Sequence, residues 1–152
     1  MSWAEIKAAN QNLREVGDGL IAETWQAFCD IVQQTADAPP YHVAILLNRI
    51  EQYRGAQPRN EITIFDHGCG SGLTLLYLAA RGYTNIYGND VGGNHSIQNR
   101  IAMEILQHDT PRFTINDGKT IPLPDGCIDI IFSQQVLEHV DDAVVESYFS
   151  EE

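Results

Sequence analysis

Residues 62–72 read Ile62-Thr63-Ile64-Phe65-Asp66-His67-Gly68-Cys69-Gly70-Ser71-Gly72, and the fold follows from how that stretch changes character. Its first four residues are apolar or β-branched without interruption, the pattern of a strand buried on both faces. An acid and three closely spaced glycines then close the run. Immediately afterwards Leu73, Leu76, Ala79 and Ala80 recur on one helical face until Gly82. A strand therefore feeds through a tight turn into a helix. That arrangement sets backbone N–H groups and the positive end of a helix dipole at the carboxyl edge of a sheet, where a polar or anionic ligand belongs.

On the C-terminal side the alternation continues. Asn85-Ile86-Tyr87-Gly88 reads as a second strand ending at Asn89-Asp90, completing a βαβ unit of right-handed crossover. Ile97, Ile101, Ile105 and His108 mark another helix, Phe113-Thr114-Ile115 a third strand and Ile128 to Phe132 a fourth. The stretch 141–152 has a helical pattern carried by Val144, Val145, Tyr148 and Phe149. Strands alternating with helices specify an α/β fold with a parallel sheet.

On the N-terminal side the chain is helical. Trp3, Ile6, Leu13 and Val16 keep a loose period, and Leu20, Ile21, Trp25, Phe28, Ile31 and Val32 a tighter one. After the Pro39-Pro40 break, Val43, Leu46, Leu47, Ile50 and Tyr53 recur until Gly55 and Pro58. Trp3, Trp25 and Tyr41 read as core or helix-packing residues. The division expected is a helical cap segment over 1–58 and a Rossmann-like domain over 59–152.

The 152 residues carry 9 Lys plus Arg against 21 Asp plus Glu, a formal charge of −12. So acidic a chain repels nucleic-acid phosphates and anionic membrane surfaces. Neither is expected as a partner. Cys29, Cys69 and Cys127 lie far apart in no metal-like spacing, which fits a reducing compartment, with the cytoplasm as default. No run of about 18 apolar residues occurs, so no membrane span is expected.

Which nucleotide the turn selects depends on spacing. The dinucleotide fingerprint needs a third glycine at position 73, where a side chain obstructs helix-to-strand packing. Leu73 stands there, and the third glycine is Gly72. A nicotinamide-dependent oxidoreductase is thereby disfavoured. The loop is GxGxG with an acid two residues ahead, and from Ile62 onward the chain resembles the class I S-adenosylmethionine-dependent methyltransferases. The run Ile121-Pro122-Leu123-Pro124-Asp125-Gly126, with Asp129 and Val136-Leu137-Glu138-His139-Val140, resembles their small-molecule branch known as type 11.

The resemblance implies S-adenosylmethionine as cofactor. Gly68, Gly70 and Gly72 would wrap its methionine part, and Asp66 would support the loop and the methionine amino group. Asp90, 20 residues beyond Gly70, would take both ribose hydroxyls. Asp117 and Gly118, within Asn116-Asp117-Gly118, would contact the cofactor, Asp117 accepting from the adenine amino group. Ser133 and Gln134, at the end of the fourth strand, are expected to contact cofactor or substrate, and His139 or Glu138 to act as general base for an oxygen acceptor. Glu138-His139 also resembles part of a cation-binding cluster of some methyltransferases, but Gln135 stands where those carry a carboxylate, so no metal is expected. His67 occupies a usually apolar slot.

The sheet order implied is 3-2-1-4, the first part of a seven-stranded methyltransferase sheet. The expectation is therefore an N-terminal portion of a longer enzyme, weakly active alone, with the fourth strand's free edge open to self-association. The activity implied is methyl transfer to a small-molecule acceptor. The competing reading is a noncatalytic cofactor-binding or partner-binding module that keeps the glycine loop.

Overall fold

A computed structural model of the chain describes residues 18–91, 99–100, 102–103, 106–115 and 120–136. The helical pattern read over Trp3 to Val16 and that over 141–152 lie outside the described residues. Two helices come first, α1 (Asp18–Gln34) and α2 (Tyr41–Arg54). They are separated where Pro39-Pro40 interrupts the chain: Pro40 is extended, and its carbonyl accepts the N–H of Ala44 at 2.9 Å to start α2. Gly55, at φ 57°, stops α2 by returning its N–H to the Glu51 carbonyl.

The apolar period of both helices faces one core. Trp25, Phe28 and Val32 of α1 and Val43, Leu47 and Ile50 of α2 are buried in the same cluster as Ile62, Ile64, Leu75, Leu78 and Ile86. Trp25 meets the expectation of a core residue. Tyr41 does not: it begins α2 on the face turned away from Val43 and is 82% exposed.

Four strands follow, β1 (Ile64–His67), β2 (Ile86–Asp90), β3 (Arg112–Ile115) and β4 (Ile130–Phe132), with helix α3 (Leu73–Ala80) between β1 and β2. All pairings are parallel and the order is β3-β2-β1-β4, as the family resemblance implies. In register, Asp66 stands beside Gly88 and Phe132, His67 beside Asn89, and Asp90 beside Ile115. Every residue of β1 is buried, in keeping with its place inside a covered parallel sheet.

Strand boundaries differ from the sequence reading by a residue or two. Asp129 lends its carboxylate to the N–H of Thr63 at 2.8 Å, while the Thr63 carbonyl accepts the N–H groups of Asp129 and Ile130. This clasp stands at the entry to the β1–β4 pair, so β1 starts at Ile64 and β4 at Ile130. Between β2 and β3 the residues 99–100, 102–103 and 106 are helical. That helix ends where Gln107 takes φ 55° and His108 sends its N–H to the Met103 carbonyl at 2.9 Å. Among the described residues, no helix is long and apolar enough to cross a membrane.

Candidate functional site

The order of the strands reverses at β1, since β2 and β3 lie to one side and β4 to the other. In open parallel sheets such a switch point leaves a crevice beyond the carboxyl ends of the strands. The loop 68–72 lies at that end of β1. Its glycines all take positive φ, 81° at Gly68, 52° at Gly70 and 72° at Gly72, values a side chain would strain. Their surroundings separate their roles. A Cβ on Gly68 would collide with Val136 and one on Gly72 with the ring of Phe113, so both are demanded by the protein's own packing. At Gly70 nothing lies within 4 Å of that position. Gly70 is thus the point where a ligand can approach bare backbone.

The loop hangs from the end of β2. The Asn89 carbonyl accepts the N–H of Gly68 at 3.1 Å and of Cys69 at 2.9 Å, and the Asp90 Oδ2 accepts the N–H of Gly70 at 2.7 Å. The Ser71 carbonyl accepts from Asn99 Nδ2 at 2.7 Å. Gly72 then caps α3, its carbonyl taking the N–H of Leu76. Phe113 fills the space under Gly72 and is itself met edge-on by Trp25 at 6.2 Å, so α1 supports the loop from behind.

Two acids face this backbone. Asp66 is 5% exposed, inside the fully buried β1. Burial, and then the negative charge of Asp90, push its pKa well above the usual carboxylate range. Burial and the same two acids raise the Cys69 thiol, which stays protonated and is a poor nucleophile. A cationic group brought between Asp66 and Asp90 would relieve both burdens at once.

Of the residues named from sequence, Asp66, Gly68, Gly70, Gly72, Asp90, Ser133 and Gln134 come together at the carboxyl ends of β1, β2 and β4. The Ser133 hydroxyl donates to the His67 carbonyl at 2.8 Å, and Gln134 Oε1 accepts from Thr74 at 3.4 Å. Asp117, Gly118, Glu138 and His139 lie outside the described residues. Among the described residues no cluster of three His, Cys, Asp or Glu is placed to hold a metal ion. Sequence reasoning missed Asn89, Asn99 and Phe113. A polar side chain inside a buried strand was the available signal for Asn89; Asn99 and Phe113 gave none.

Residues 65–151, more than half of the chain, match the family described as a methyltransferase domain. No solved structure matches the chain.

Proposed function

The chain belongs to the class I S-adenosylmethionine-dependent methyltransferase family, and from that premise we propose that it binds S-adenosylmethionine across Asp66, Gly70 and Asp90 and serves methyl transfer to a small neutral or cationic acceptor. The observation that carries this reading is a pair of acids at the ends of β1 and β2, Asp66 buried within β1 and Asp90 holding the glycine loop through the Gly70 N–H, with room at Gly70 for a ligand to approach the backbone. A cofactor with an ammonium and a sulfonium suits that pair. The diphosphate of a dinucleotide would be repelled by it, and Leu73 stands where the dinucleotide turn needs glycine.

Bound S-adenosylmethionine would supply a methyl group already activated by its sulfonium, which leaves alignment as the protein's main task. Asp66 and the backbone at Gly70 would hold the amino-acid end. Asp90 would accept from the two ribose hydroxyls, a task suited to a carboxylate with two oxygens. Asp117 would accept from the adenine amino group. Ser133 and Gln134, at the end of β4, would contact the cofactor or the acceptor, and His139 or Glu138 would remove the proton of an oxygen acceptor. The charge of −12 disfavours nucleic acid as the acceptor.

Calorimetric titration with S-adenosylhomocysteine and with NAD tests the reading. Saturable binding of the first and none of the second is expected; the reverse preference would make the site a dinucleotide site.

A further inference from the structure

Asn89 is fully buried at 0% exposure, in a strand whose other inward positions are apolar or glycine. Its backbone carbonyl holds the N–H groups of Gly68 and Cys69. Its side chain then reaches in two directions. Oδ1 accepts a further share of the Gly68 N–H at 3.3 Å, and Nδ2 donates to the Thr120 carbonyl at 3.4 Å. One side chain thus joins the glycine loop after β1 to the segment that follows β3. Asp90 also holds the loop, through Gly70, but on the reading above its carboxylate must turn to the ribose when cofactor arrives. Asn89, closed off from solvent inside β2, is given no ligand contact on that reading.

We propose that Asn89 is a positioning residue, which keeps the glycine loop in its ligand-ready shape while the neighbouring Asp90 is drawn to the ribose, and which ties that loop to the chain beyond β3. This rests on the cofactor reading. A buried amide whose bonds span two loops is costly to leave half-satisfied, so the two loops are held in one relative placement. The effect falls on whatever part of the ligand touches the loop, the amino-acid end, and spares the adenosine end held by Asp90.

Asn89→Leu keeps the shape of the side chain and the backbone bonds while removing the side-chain bonds to Gly68 and Thr120. Titration with S-adenosylhomocysteine and with 5′-methylthioadenosine, which lacks the amino-acid end, separates positioning from general damage. The variant is expected to bind S-adenosylhomocysteine about tenfold more weakly, a loss on the scale of one hydrogen bond, and 5′-methylthioadenosine as the wild type does. Equal losses for both ligands, or none for either, would overturn the inference and leave the cofactor reading standing. A wild-type chain that binds neither ligand would overturn both. Should the variant not fold, amide exchange in the wild-type chain decides: the Asn89 side-chain amide and the Gly68 N–H must stay protected with and without S-adenosylhomocysteine, while the Gly70 N–H shifts on binding. Loss of protection at Asn89 in the complex would contradict the role.

Discussion

Asp66 is held in a state that costs the fold something. Its carboxyl is buried, faces the charge of Asp90, and has its pKa raised well above the ordinary value of 3.8. An acid whose pKa is higher folded than unfolded stabilises the fold fully only below its unfolded pKa, and that contribution is lost as pH rises through the folded value. Asp66→Asn should therefore raise the melting temperature at neutral pH, by a few degrees on the scale of about 1 kcal/mol. The gain should vanish below about pH 4, where wild type and variant are both uncharged at this position. The same substitution should weaken S-adenosylhomocysteine binding, since a neutral amide attracts an ammonium poorly. A variant less stable than wild type at pH 7 would show that Asp66 supports the fold rather than the ligand. The acid itself was legible from its place before the first glycine. Its burial was not, because that depends on β2 and β4 closing on either side.

At the scale of elements, Glu51 of α2 joins three parts of the chain. Its carboxylate accepts from Arg54 at 2.6 and 3.0 Å, from Arg59 of the 3-10 turn (Arg59–Glu61) at 3.0 Å, and from the Tyr83 hydroxyl after α3 at 3.0 Å. Burial pushes this carboxyl up, but the hydrogen bonds from Arg54, Arg59 and Tyr83 outweigh it and hold the pKa at about 2, against an ordinary value of 4.5. Here the folded pKa is the lower one, so the stabilisation is present above about pH 4.5 and fades as pH falls toward 2. Glu51→Gln should cost about 1 kcal/mol at neutral pH, the solvent around the cluster screening most of the pairing. It should also flatten the acid limb of the stability curve between those values. Chemical denaturation across that range checks it, and a limb as steep as in wild type would remove Glu51 from the account.

The elements themselves were readable wherever period and punctuation agreed. Pro39-Pro40 and Gly55 bounded α2, and the glycine turn located both β1 and α3. The starts of β1 and β4 were harder, because Thr63 and Asp129 look like strand residues but bond to one another across 66 positions of sequence. Phe113 likewise read as an ordinary strand residue. Only the register of β3 on β2 brings its ring beneath Gly72. Local pattern identifies a residue's element, whereas its partners are set by pairings that no local pattern contains.

Taken as a whole, the molecule sets a sheet reversal, a glycine loop with one open face and two strand-end acids at the same edge, with α1 and α2 sharing the core behind them. These features support the central proposal that the carboxyl edge of β1 and β2 holds S-adenosylmethionine, with Asp90 on its ribose. The most direct test is calorimetric titration of S-adenosylhomocysteine into the wild-type chain and into Asp90→Ala. Saturable wild-type binding is expected, with a loss of about 2–4 kcal/mol in the variant, the worth of one or two charge-assisted hydrogen bonds. Equal affinity in the two proteins would contradict it.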